Sequence, residues 1–128
     1  MKTITLEWIN KAEGDYAVME REGRVRRKPS YDGICFHAQQ CAEKYLKARL
    51  IEANIVFGKT HDLPALLDLV LPAEPLWENF RRDLAYLSDF AVAFRYPDDS
   101  ATREQAKDAI KRCQTFLLTA RRSLNPGN

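Results

Sequence analysis

The amino-acid sequence predicts an all-α fold, an up-and-down bundle of four long helices plus one short helix. Apolar residues recur at helical spacing along nearly the whole chain, and no stretch alternates with period two between hairpin turns. Prolines and helix-capping residues fall at the joints between the periodic segments. At 128 residues the chain is expected to form one domain over 1–128, large enough to bury roughly two thirds of its unfolded surface.

The first helix is expected from about Thr5 to about Arg24, with Leu6, Ile9, Ala12, Tyr16, Ala17 and Met19 along one stripe. It stops within REGRVRRK, residues 21–28, because a residue preceding proline, here Pro29, is pushed out of the α region. The basic run has two readings, cations suited to a helix C-terminus or contacts to phosphate. The second helix runs from near Ser30 to about Ala53. Ile34, Ala38, Cys41, Tyr45 and Ala48 lie on one line of it, with Cys35, Ala42, Leu46 and Leu50 beside them.

A break over 54–59 contains Gly58, and Thr60, His61 and Asp62 then supply N-cap candidates for the short helix LPALLDLVL. Pro64 fits only its first turn, and Pro72 ends it. The fourth helix is expected from about Pro75 to Phe94, carrying Leu76, Phe80, Leu84, Leu87, Ala91 and Phe94, and must end at Tyr96 before Pro97. The last runs from about Ser100 to Leu124. It opens on Thr102-x-x-Gln105, the form of a capping box, and buries Ala106, Ala109, Ile110, Cys113, Phe116, Leu117 and Ala120. Arg103, Lys107 and Lys111 form its polar stripe, and the tail NPGN is expected to fray.

Bulk composition excludes several classes. The chain is 45% hydrophobic and 30% charged with 5 Gly and 6 Pro, which fits neither a disordered nor a fibrous protein. A net charge of +2, from 20 basic and 18 acidic residues, gives no polyelectrolyte character, so any basic site must be local. Three cysteines without a CxxC pair, and an N-terminal MKTITLEWINK that lacks an apolar run, point to a reduced, cytoplasmic protein. No run of apolar residues is long enough for a membrane span.

Residues able to do chemistry are few. His37 and Cys41 lie at i, i+4, but two mixed ligands on an apolar helix read as core packing, and no metal site is expected. His61, in KTHDL, either helps cap the short helix or acts functionally with a carboxylate or phosphate partner. Arg95, in FRYPDDS, is placed by the following proline either for a bidentate anion contact or for a bond to helix carbonyls, Asp98 or Asp99. Gln40, Lys44 and Lys47, at i, i+4, i+7, share one face of the second helix, with Gln39 and Glu43 in a parallel row. Such a strip faces solvent, or lines a cleft or a subunit interface. No glycine-rich phosphate loop, Ser-His-Asp order or metal signature is present.

Taken together, FHAQQCAEKYLKA at 36–48, KTHDLPALL at 59–67 and RYPD at 95–98 resemble the HEPN domain family, named for higher eukaryotes and prokaryotes nucleotide-binding. The resemblance covers nearly the whole chain. It implies a bundle of four to five helices, a homodimer, and a small nucleotidyltransferase as partner, in pairs some of which resemble toxin–antitoxin modules. In family members that cleave RNA, an Arg followed after a spacer of four to six residues by His forms a metal-free active site in the dimer cleft. Imidazole there moves the proton and guanidinium holds the phosphate. Here Ser100, Ala101 and Thr102 occupy the positions where that histidine would fall.

The leading expectation is therefore a dimeric binding module that partners a nucleotidyltransferase and holds a nucleotide or phosphate without a further cofactor. Its ligand-binding candidates are Gln40, Lys44, Lys47, His61, Arg95, Tyr96 and Asp98. The alternative from the enzyme class is a metal-independent endoribonuclease acting on RNA through Arg95 and a His61 brought in from another helix. A third reading is a structural adaptor whose Gln39, Gln40, Glu43 and Lys44 serve self-association.

Overall fold

In the computed structural model, which describes residues 1–124, α1 covers Thr3–Gly23 and α2 covers Tyr31–Glu52. The α2 start is set by Ser30, whose hydroxyl accepts from the Gly33 amide at 2.9 Å. The short α3, Leu63–Val70, is capped by Asp62, whose Oδ1 accepts from the Ala65 amide, and carries Pro64 in its first turn. A 3₁₀ segment, Pro75–Phe80, leads into α4, Arg81–Ser88, and a second 3₁₀ turn covers Asp89–Ala91. The last helix, α5, is Arg103–Ser123, and its capping box is complete: Thr102 Oγ1 accepts from the Gln105 amide, and Gln105 Oε1 accepts from the Thr102 amide. No strand occurs among the described residues, and the NPGN tail lies outside them.

Cross-helix bonds give the directions. The pairs Thr5–Glu52, Glu13–Tyr45 and Asp15–Lys44 step forward on α1 as they step back on α2, so those helices are antiparallel. The same logic applies to α1 and α5 through Glu13–Arg121 at one end and Gly23 against Ile110 at the other. Trp77–Phe116, Asp83–Arg112 and Tyr86–Gln105 set the 75–88 stretch antiparallel to α5. The long elements therefore run up, down, up, down, with α3 inside the crossover between α2 and α4.

α2 sits at the centre, packed against α1, α3, α4 and α5. Ala38, Cys41, Ala42, Leu46, Ala48 and Leu50 are all fully buried on it. Their counterparts are Ala12 and Met19 of α1, Leu66, Leu67 and Val70 of α3, Leu84 and Leu87 of α4, and Phe116 and Leu117 of α5. The three cysteines are free and buried. Burial pushes the Cys35 thiol up to about 12, and burial together with neighbouring Cys113 raises Cys41 well above its ordinary value.

Three expectations change, the first being that Leu76, placed on the apolar stripe of the fourth helix, is 78% exposed. Leu6 is 41% exposed, because the neighbouring Thr5 is the residue turned inward, its hydroxyl donating to Glu52 Oε1 at 2.8 Å. The expected continuous helix from Pro75 to Phe94 is segmented. Trp77 and Phe80 both set their edges against the Phe116 ring, at 5.3 and 5.5 Å between centroids. Residues three apart lie one above the other in a 3₁₀ turn, so that winding delivers both rings to one partner. At the other end Phe94 stacks on Phe90 at 5.7 Å and takes a left-handed φ of 65°, which ends the helical course before Arg95.

Candidate functional site

The polar side of α2 is built around Glu43, which is 3% exposed. Its Oε1 accepts from Gln39 Nε2 at 3.0 Å and pairs with His61 Nδ1 at 2.8 Å, while Oε2 meets Lys47 Nζ at 3.0 Å. Gln39, Glu43 and Lys47 stand at i, i+4, i+8, one row on one face. Burial pushes the Glu43 carboxyl up, but the bonds from Gln39, His61 and Lys47 outweigh it and hold the group below its ordinary value. The Lys47 ammonium also lies 5.7 Å from the Trp8 ring centre and 5.9 Å from that of Phe57, so a buried cation meets a carboxylate and two π faces.

This row positions His61. Its carbonyl accepts from Gln39 Nε2 at 3.3 Å and from Ser88 Oγ at 3.4 Å, and Ser88 Oγ accepts in turn from the Leu63 amide. With Glu43 ionised, Nδ1 is the donor and Nε2 is the free nitrogen of a side chain that is 64% exposed. His61 is thus not the helix cap. Asp62 is, with Thr60 Oγ1 accepting from the Asp62 amide. A depression of about 440 Å³ beside His61 is lined by Asp62, Pro64, Ala85, Ser88, Asp89 and Val92, with no arginine or lysine.

A second carboxylate acts in the same way. Asp15 of α1 takes His37 Nδ1 on Oδ1 at 2.8 Å and Lys44 Nζ on Oδ2 at 2.6 Å. A third, Glu13, holds Arg121 through two bonds of 2.8 and 2.7 Å and accepts from the Tyr45 hydroxyl, while Arg121 lies 4.4 Å from the Tyr16 ring centre. Burial raises the Glu13 carboxyl, and the Arg121 and Tyr45 bonds reverse this and leave it lowered.

The expected grouping of Gln40, Lys44 and Lys47 on one strip therefore divides. Lys47 joins the buried row of Gln39 and Glu43, Lys44 turns to Asp15, and half-buried Gln40 donates to Gln39 Oε1 at 2.7 Å. Gln40 and Lys47 stand only about 20° apart around the helix, so the division is made by where the long side chains reach, Lys44 to Asp15 on α1 and Lys47 to Glu43 on its own helix. Arg95, Tyr96 and Asp98 are exposed in the turn after the second 3₁₀ segment, and Arg95 makes no ion pair with Asp98 or Asp99. His37 and Cys41 do not converge on a third donor. Among the described residues no group of three His, Cys, Asp or Glu is placed to hold a metal ion, and no helix is long and apolar enough to cross a membrane.

Sequence reasoning gave Glu43 no central role and missed Asp15 altogether. The i, i+4, i+8 spacing of Gln39, Glu43 and Lys47 was the available signal for the first. Nothing local marks Asp15, whose partners lie 22 and 29 residues away. It also missed a pocket of about 420 Å³ at the far end of α1, where Arg24 and Arg26 meet Arg103 and Lys107 of α5.

Comparison with known proteins agrees with the architecture. The crystal structure of TT1696 from Thermus thermophilus superposes with a TM-score of 0.80 at 24% sequence identity, covering 96% of this chain and all of that one. No curated protein matches the chain. The sequence pattern of the HEPN domain matches residues 5–123, nearly the full length and all five α-helices but for Thr3 and Ile4 of α1, so the chain belongs to the HEPN domain family.

Proposed function

We propose that this chain is a homodimeric, cytoplasmic HEPN binding module that works beside a small nucleotidyltransferase and takes a nucleotide or other phosphate-bearing ligand. Such a pair would have the organisation of a toxin–antitoxin-like module. The observation that supports binding over catalysis is the setting of His61. Its neighbours across the depression are Asp62 and Asp89, and no guanidinium lies there to hold a phosphodiester. Lys44 and Lys47, the other cations expected near a phosphate, are answered by Asp15 and Glu43.

Thermal melting with millimolar ATP tests the ligand. A ligand that binds only the folded chain raises its melting temperature by mass action, and no rise with any nucleotide would remove that part of the reading. A second reading is kept by one observation: Glu43 orients an exposed imidazole in the manner of a general base. It makes the chain a metal-independent ribonuclease using His61 and Arg95. RNA cleavage by the purified protein that vanishes in both His61→Ala and Arg95→Ala would establish it over the binding module.

A further inference from the structure

The pocket at the far end of α1 lies between that helix's last turn, the start of α2 and the first two turns of α5. Arg24 and Arg26 come from the end of α1 and the chain after it, and Arg103 and Lys107 from α5. All four are exposed, and none forms an ion pair among the described residues. One carboxylate, Glu22, shares the lining, and its Oε1 is engaged by the Ser30 amide at 2.5 Å.

Compensation of a helix dipole explains half of this arrangement. Arg24 and Arg26 suit the negative C-terminal end of α1. Arg103 and Lys107 do the opposite, since they stand at the positive N-terminal end of α5, where a cation is disfavoured. The end of α1 with the chain after it and the start of α5 thus bring four cations and one dipole end of each sign to the same cavity, with Glu22 the one carboxylate in its lining. The floor is apolar, formed by Ile34, Ala106 and Ile110, with Tyr31 at the side. At Gly23 a Cβ would stand 3.1 Å from Ile110 Cδ1, so the two walls meet there about as closely as backbone and side chain allow.

We propose that this pocket binds the phosphates of a nucleotide, with the base and sugar against the Tyr31, Ile34 and Ile110 surface. The proposal rests on the nucleotide-binding reading above and moves the site away from Lys44, Lys47 and Arg95. Cations from two separate stretches of chain, spread around a cavity rather than along a face, match a chain of phosphates better than a single anion. The apolar floor gives the ligand's uncharged part a surface to cover.

Calorimetric titration of the full chain with ATP, pyrophosphate and adenosine tests this, with circular dichroism confirming that each variant folds. ATP is expected to bind most tightly, pyrophosphate more weakly and adenosine least. Arg103→Gln with Lys107→Gln, and separately Arg24→Gln with Arg26→Gln, should each weaken ATP by about tenfold or more, equivalent to about 1.4 kcal/mol. Arg95→Gln and Lys44→Gln should leave it unchanged. Tight ATP binding that survives both double substitutions but is lost in Arg95→Gln would overturn this site and leave nucleotide binding standing. Failure of ATP and pyrophosphate to bind the unaltered protein would overturn both, and adenosine binding as well as ATP would remove the phosphate from the recognition.

Discussion

Along the middle of α2, Lys44 and Lys47 each meet a carboxylate held in place by other bonds, Asp15 for one and Glu43 for the other. At the far end of α1, Arg24, Arg26, Arg103 and Lys107 surround a cavity with one carboxylate, already engaged by a backbone amide, among them. The two regions carry the same kind of charge under different solvation. Lys47 is 8% exposed, and Glu43 and the two aromatic rings offset the cost of taking its ammonium out of water. The four corner cations stand in water, where lacking a partner costs little. Charge in the first region serves the fold, and charge in the second forms no ion pair among the described residues.

The largest effect is expected where that difference is broken inside the bundle. Glu43→Ala leaves Lys47 buried and unanswered and should cost about 3–5 kcal/mol by chemical denaturation. Replacing both partners, Glu43→Leu with Lys47→Met, should recover most of that loss, since neither desolvated charge then remains. A single substitution as mild as the double one would show that water reaches Lys47.

A smaller effect is expected on acidification. The Glu43 and Glu13 carboxyls sit below their ordinary value of 4.5 in the folded chain, so the stability they contribute is complete above that pH. It drains away as the pH falls through the lowered values. Melting temperature should therefore stay level from neutral pH down to about pH 5 and then drop. The Glu43→Leu, Lys47→Met variant should drop less steeply over the same range.

The smallest effect has the opposite sign. Arg103→Gln removes a cation from the positive end of α5 and should stabilise the free protein by about 0.3–1 kcal/mol at low salt, with the gain fading as salt rises. The same change is expected to weaken nucleotide binding. A residue whose loss strengthens the fold and weakens a ligand separates the two regions more cleanly than either measurement alone. No change in stability at low salt would mean that Glu104, in the same turn, already balances Arg103.

How much of this could be read from the sequence depended on how local the cause was. The capping box at Thr102 and Gln105, the Asp62 cap and the stop before Pro29 are written within a few residues, and they set α5, α3 and the end of α1 as expected. The polar face of α2 was harder. That helix is enclosed by four others, so its apolar residues do not gather on one side, and spacing alone did not show which polar row faced inward. The segmentation of 75–94 follows from two rings sharing Phe116, and the corner pocket from Arg24 meeting Arg103, 79 positions later in the chain. Neither leaves a local mark.

The buried thiols of Cys35, Cys41 and Cys113 equip the protein with an internal clock. Burial keeps Cys35 and Cys41 protonated near neutral pH, and an alkylating reagent attacks the thiolate, so labelling must wait until the surrounding helices part. Cys35 lies near the start of α2, whereas Cys41 of α2 and Cys113 of α5 lie against each other deep between them. Mass spectrometry of the three labelling rates would time the opening of the helix end separately from that of the bundle centre, without adding a probe.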